Sequence, residues 1–254
     1  MKERILLMGA PGSGKSEQLI NVASYIQEFK LPMYVIDCED KLSAMLENRD
    51  DSPDNIKLHV ALSWEEPENK RYEGFKEAAN DILKKVKPGD WIGLDRIDLS
   101  WSFVQRWFTK EKYNESLSDK LMEVSKEMKK KSMFVPRFDQ GSWQVINEQY
   151  ESVIVSLLFD SRCNILMTSG IKGIDNDSPL DIGRYGVLPR GQKELGHQPH
   201  SVFLLTQEKV QGEKRWEWFV STDKDLKKRE YFDKEPLFDF ATQYLSMYYK
   251  PDDK

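Results

Sequence analysis

Eight residues, Gly9-Ala10-Pro11-Gly12-Ser13-Gly14-Lys15-Ser16, constrain this chain more than any other stretch. They fit the spacing G-x-x-x-x-G-K-[ST] and stand between segments of opposite periodicity. Arg4-Ile5-Leu6-Leu7-Met8 before them is a short apolar run that predicts a buried strand. From Glu17 to Phe29, Leu19, Val22, Ala23 and Ile26 recur at helical spacing. Strand, glycine loop and helix in that order make a phosphate cradle. The glycines let backbone N–H groups converge on phosphate oxygens, and the helix N-terminus adds partial positive charge. Residues Gly9 to Glu17 would surround the phosphates, with Lys15 on the β- and γ-phosphates and the Ser16 hydroxyl on Mg²⁺. A nucleoside-triphosphate site, for ATP with Mg²⁺, is the expectation.

The rest of the chain continues the alternation. Met33-Tyr34-Val35-Ile36-Asp37, Trp91-Ile92-Gly93-Leu94-Asp95, Asn164-Ile165-Leu166-Met167-Thr168 and Ser201-Val202-Phe203-Leu204-Leu205 read as further core strands, and Lys57 to Ala61 as a short one. Helical spacing runs from Gly74 to Val86, through the stripe Leu117, Leu121, Val124 and Met128, and from Val145 to Leu158. Arg215 to Ser221 reads as a strand near the sheet edge. Pro236 is expected to open a last helix with Leu237, Phe240, Ala241, Tyr244 and Tyr248 on one face. Strands alternating with helices predict an α/β fold, a mostly parallel central sheet with helices on both faces, in a single domain over residues 1–254. Ligands in such sheets bind beyond the carboxyl ends of the strands.

Composition narrows the function classes. Of 254 residues, 39% are hydrophobic and 32% charged, and no apolar run approaches the roughly 18 residues of a membrane span. With Met1-Lys2-Glu3-Arg4 leading directly into the first strand, neither a signal peptide nor a membrane association is expected, and a cytoplasmic location is. Cys38 and Cys163 read as buried thiols, and His59, His197 and His200 form no metal spacing. A net charge of −5 argues against binding polyanions over the whole surface but leaves room for a local basic channel.

Asp95 closes an apolar strand behind the glycine loop, where a carboxylate would hold Mg²⁺ opposite Ser16; Asp98 is the alternative. Asp37-Cys38-Glu39-Asp40 ends the strand that follows the first helix. Hydrolysis needs a carboxylate to orient the attacking water, and Glu39 and Asp40 both qualify by position; a solvated acidic turn is the alternative.

Val35-Ile36-Asp37-Cys38-Glu39-Asp40-Lys41-Leu42 resembles the Ile-Asp-Ala-Glu-His-Ala-Leu segment of RecA-family recombinases. The resemblance assigns the catalytic glutamate to Glu39 and the metal-holding aspartate to Asp95. It implies a RecA-like P-loop NTPase fold. Asn164 to Ser169 falls where that family has its sensor strand; this chain ends it in Thr168-Ser169 rather than Asn-Gln. The order of parts, with Trp143 at a helix start and Val220 to Asp225 as a late strand, is similar to compact RecA-like ATPases encoded by phages. A bare RecA core, without an N-terminal oligomerisation element, is therefore expected.

That resemblance implies single-stranded DNA as a partner and a homo-oligomeric ring or filament. Residues 170–200 read as a long structureless loop carrying six glycines with Lys172, Arg184, Arg190 and Lys193, where Tyr185 and His197 would stack on bases; a surface loop that binds nothing is the alternative. Lys126 to Arg137, with Lys129-Lys130-Lys131, Phe134 and Arg137, is a second candidate strand-binding surface or a solvated helix end. Among Lys224, Lys227, Lys228 and Arg229, either Lys224 or Arg229 would reach a neighbouring subunit's γ-phosphate, unless this is simply a charged turn. Trp101, Phe103, Trp107 and Phe108 read as packing residues. The leading expectation is an Mg²⁺-dependent ATPase acting on single-stranded DNA in recombination, repair or replication. Its rivals are a protein-activated ATPase such as a helicase loader or packaging accessory, a nucleotide-binding structural or regulatory protein, and a small-molecule kinase.

Overall fold

On each core strand the apolar residues alternate between two faces, and two hydrophobic cores result. The computed structural model describes residues 2–61, 67, 70–131, 136–174, 182–210, 215–227 and 232–249. Strand β1 (Arg4–Gly9) is central. On one side of it lie, in order, β5 (Asn164–Ser169), β4 (Trp91–Asp95), β2 (Met33–Asp37) and β3 (Ile56–Val60). On the other side lies β8 (Ser201–Lys209), and these six strands are parallel. Antiparallel β9 (Trp216–Asp225) and the two-residue β10 (Glu235–Pro236) follow β8. The mostly parallel sheet predicted from the alternation is present.

The helices are α1 (Lys15–Gln27), α2 (Leu42–Glu47), α3 (Arg71–Lys85), α4 (Ile97–Tyr113), α5 (Leu117–Lys131), α6 (Gln140–Val155, continued by a π turn over Ser156–Asp160) and α7 (Ser246–Tyr248, preceded by a π turn over Ala241–Leu245). Leu6, Met8, Ile36, Ile92, Leu94, Ile165 and Met167 pack against α3, α4 and α6. Ile5, Leu7, Val35, Trp91 and Leu166, from the opposite positions of the same strands, pack against α1 and the Phe240–Leu245 segment. Gly93 sits under α1, where a Cβ would come within 3.1 Å of Val35 and 3.2 Å of Leu19. The close approach of helix to sheet depends on its missing side chain. Asp139 caps α6, its Oδ1 accepting the Ser142 N–H at 2.7 Å, which satisfies one of the helix's unpaired donors.

Two expectations need correction. Pro236 does not open the last helix: it lies in β10, paired with Phe219, and the helical turns begin at Ala241. Its φ suits the sheet edge as well as a helix start. Residues 170–200 are not structureless. Ile171–Gly173 (β6) and Val187–Pro189 (β7) form an antiparallel ribbon, and Lys193–Gly196 a 3₁₀ turn. The runs are too short for periodicity to show. The late strand extends to Asp225 because it pairs with β8 along nearly its whole length. Helix α5 forms as its stripe predicts, yet none of its residues is buried, and Leu121 and Met122 are 42% and 56% exposed.

A candidate nucleotide-hydrolysis site at the carboxyl edge of the sheet

The glycine loop leaves β1 and enters α1 with Gly12 and Gly14 at φ 81° and 85°, backbone that glycine adopts without strain. At Gly9 a Cβ would lie 2.5 Å from the Leu205 carbonyl oxygen. Lys15 is buried, and its Nζ donates to the carbonyls of Gly9 at 2.9 Å and Ala10 at 2.8 Å and to Ser13 Oγ at 3.3 Å. Burial lowers its pKa, as does the Arg96 charge, against the opposing pull of Asp95, Asp98 and Glu39. An incoming phosphate would exchange these carbonyl partners for charged oxygens.

Ser16, at the start of α1, donates from Oγ to Asp95 Oδ2 at 2.7 Å, and Thr168 Oγ1 donates to Asp95 Oδ1. Asp95 is 1% exposed; burial raises its pKa, while the Thr168 and Ser16 hydrogen bonds hold it down. A hydroxyl and a carboxylate facing each other at a phosphate loop are hard oxygen donors. Mg²⁺ takes one or two such protein ligands and fills its octahedron with phosphate and water oxygens, so the residues fit this ion. Asp98, the alternative carboxylate, is turned elsewhere: it accepts Arg96 Nε at 3.2 Å, Arg96 Nη2 at 2.8 Å and the Gly170 N–H at 3.2 Å.

Strand register brings Asp37 beside Asp95. Asp37 is fully buried and folds the turn after β2 around its carboxylate. Oδ1 accepts the N–H groups of Glu39 and Asp40 at 2.9 Å each, and Oδ2 those of Lys41 and Leu42 at 2.8 Å each. This turn presents Glu39 at the sheet edge. Glu39 Oε1 accepts Arg96 Nη1 at 2.6 Å and Oε2 accepts Lys41 Nζ at 3.0 Å. Asp40 adopts φ 55° within the turn. Glu17 faces away from the phosphate loop toward Arg49, at 2.5 Å.

Sequence reasoning missed Arg96 and Trp218. Arg96 follows the strand-ending Asp95 directly, and that adjacency is the one signal it offered. Trp218 Nε1 donates to the Gly12 carbonyl at 3.1 Å, from a strand that shows no local mark of the phosphate loop.

The expected partner-binding residues divide into groups. Lys172 on β6, Arg184, Arg190 and Lys193 are exposed. Arg190 donates its N–H to the Gly170 carbonyl at 2.8 Å, and Ser169 Oγ donates to the carbonyls of Gly170 and Arg190 at 2.8 and 3.0 Å. The ribbon base is thereby joined to the end of β5. Arg184 lies 5.6 Å from the Tyr185 ring, and the Tyr185 hydroxyl donates to Asp233 at 3.2 Å. Lys130 lies exposed in the last turn of α5. Arg137 covers the rings of Phe138 and Trp143 at 5.5 and 5.4 Å, and burial lowers its pKa. Phe134 lies outside the described residues, as do Lys228 and Arg229.

Lys224 departs from its expected role as an outward-reaching cation. It is 7% exposed, and its Nζ donates to the carbonyls of Gly196 and His197 at 3.3 and 3.2 Å. It pairs with Val202, at the end of the sheet opposite the phosphate loop. Packing against its own chain holds the ammonium, which composition could not reveal. The aromatic residues of α4 pack as expected: Phe103 and Phe108 are buried, and Trp101 meets Tyr150 edge-on at 5.2 Å.

No protein-family model and no curated protein matches this sequence. Among solved structures, the chain is similar to the KaiC-like protein PH0186 from the hyperthermophilic archaeon Pyrococcus horikoshii OT3, with 11% identity, 92% of this chain and 84% of that one covered, and a TM-score of 0.47. It is also similar to the RadB recombinase, with 11% identity, coverage of 87% and 81%, and a TM-score of 0.46.

Proposed function

We propose that this chain is an Mg²⁺-dependent ATPase whose hydrolysis is coupled to single-stranded DNA, acting as a homo-oligomer in recombination, repair or replication. One observation carries the hydrolytic reading. Asp37 and Asp95 are register partners on adjacent strands, so the turn bearing Glu39 stands beside the Ser16–Asp95 pair. Ser16 and Asp95 would hold Mg²⁺, which when bound supplies positive charge to the β- and γ-phosphate oxygens. Lys15 would leave its loop carbonyls for the same phosphates, as P-loop lysines do. Glu39 would orient the attacking water and accept its proton.

Coupling to DNA draws support from the ribbon. Lys172, Arg190 and Lys193 lie on the segment that starts at Gly170, whose N–H rests on Asp98, which in turn holds Arg96 against Glu39. Phosphates drawn to those cations would act on the first link of that chain. Of the two cations expected to serve a neighbouring subunit, Lys224 is engaged within its own chain, which leaves Arg229.

The test is ATP hydrolysis with Mg²⁺, with and without single-stranded DNA, at two salt concentrations. Stimulation by DNA that fades with salt is expected, since phosphate contacts release counterions. Hydrolysis indifferent to DNA at both salts would reject the coupling. One feature favours a second reading, activation by a protein: α5 stands on the surface with Leu121 and Met122 exposed and no residue buried. DNA-indifferent hydrolysis would turn attention to it.

A further inference from the structure

We propose that the β8–β9 hairpin forms the base subsite of the nucleotide, with the Trp218 indole as its stacking platform; the proposal rests on the glycine loop being the phosphate site. Strand β1 divides the sheet edge in two. Ser16, Asp95 and Glu39 gather on the side of β5, β4 and β2. A triphosphate lying in the loop with its γ end there must send its nucleoside end the other way, over β8.

On that side the hairpin overhangs the loop. Gly9, the last residue of β1, is level with Leu205, but β8 runs on to Lys209 and pairs there with Trp216. The overhang from Leu205 to Lys209 measures about 13 Å. Trp218 sits on it, opposite Gln207. Besides the indole bond to Gly12, the ring's Cδ1 lies 3.5 Å from where a Cβ on Gly14 would be, so the indole rests on the outside of the phosphate loop. Trp216, two residues away on the same strand face, is 48% exposed, and Trp218 itself 39%. Leu237 donates its N–H to the Trp218 carbonyl at 2.7 Å, and the adjoining Phe238 is 80% exposed. Large rings exposed beside a phosphate cradle, one fixed through its N–H, leave aromatic surface to the ligand. Stacking engages the face of a base and not its hydrogen-bonding edge. The subsite therefore takes purine nucleotides, adenine and guanine alike, ahead of pyrimidines.

Calorimetric titration of the full chain with the Mg²⁺ complexes of ATP, GTP, UTP and ribose 5-triphosphate tests this. For the wild type, ATP and GTP are expected within about threefold of each other, the base-less triphosphate weaker by about tenfold or more, the scale of base–aromatic stacking, and UTP between them. Trp218→Ala is expected to weaken ATP about tenfold and to leave ribose 5-triphosphate within twofold, and Trp218→Phe to restore most of the loss. Equal losses for both ligands in Trp218→Ala would overturn the proposal, because the indole would then act only on the loop. Unchanged ATP affinity would also overturn it. If Trp218→Ala does not fold, the wild-type series decides: ATP binding no tighter than ribose 5-triphosphate overturns the subsite. A wild type that binds neither rejects the nucleotide site itself, a separate outcome.

Discussion

Arg96 donates from Nη1 to Glu39 Oε1 at 2.6 Å, bridging the residue after Asp95 to the carboxylate proposed to orient water. Both partners are largely shielded, with 16% and 17% of their side chains exposed. Burial opposes the Arg96 charge, but Asp98 and Glu39 outweigh it and raise the guanidinium pKa. With Lys41 on Oε2, each oxygen of Glu39 already accepts from a cation. On the proposed reading, a water would have to displace these charge-assisted hydrogen bonds before Glu39 could act as its base.

Arg96→Gln removes one of those bonds. DNA-free hydrolysis is expected to rise several-fold while the KM for ATP stays within about twofold, a split that mere unfolding would not produce. Steady-state kinetics across an ATP series would show it. A fall in kcat would mean instead that Arg96 serves the phosphate.

Glu39→Gln keeps the shape of the side chain and loses the proposed base. Binding of ATP should persist with hydrolysis reduced roughly 10²–10⁴-fold, as for other general bases. Single-turnover measurements on pre-bound ATP check this, and normal turnover would move the base elsewhere, first to Asp40.

Lys15→Ala should abolish hydrolysis and weaken ATP binding together, because on the proposed reading the ammonium is the loop's own charge for the phosphates. Filter binding beside a hydrolysis assay separates this from Glu39→Gln, in which only hydrolysis is lost.

Asp37→Ala would strip four backbone N–H groups of their acceptor at once. Buried donors left unpaired cost about 1–3 kcal/mol each, and those of the turn that reach water cost less. A loss of about 2–4 kcal/mol in urea unfolding is expected, accompanied by loss of hydrolysis as Glu39 loses its support.

Asp139 supplies a pH dependence. The Ser142 N–H, followed by Lys112, holds its pKa down to about 2 from 3.8. A depressed carboxylate stabilises the fold above its unfolded pKa, and the contribution is lost as pH falls from about 4 through about 2. Thermal unfolding followed between pH 6 and 2 should lose stability in that window, and Asp139→Asn should flatten the loss. An unchanged slope would remove the cap from the acid response.

Local patterns carried much of this architecture. Each core strand alternates apolar residues for two buried faces, and the glycine loop needs only its own backbone to curl. The segments Met33–Asp37 and Trp91–Asp95 coincide with the strands observed. Short or mixed segments were harder. The β6–β7 ribbon has three residues on each strand, too few for any period. The Pro236 segment carries a helix-start signal that pairing with Phe219 overrides.

By itself the sequence determined that a glycine loop with the G-x-x-x-x-G-K-S spacing sits between a strand and a helix, with acidic residues ending the neighbouring strands. Those features are local, because backbone torsion and periodicity act over a few residues. Only the tertiary structure decided which side chains meet. Ser16 reaches Asp95 across 79 positions, Arg96 reaches Glu39 across 57, and Trp218 reaches Gly12 across 206. It also turned Lys224 inward and Asp98 onto Arg96. Sheet register and helix packing set such meetings, and both depend on burial summed over the whole chain.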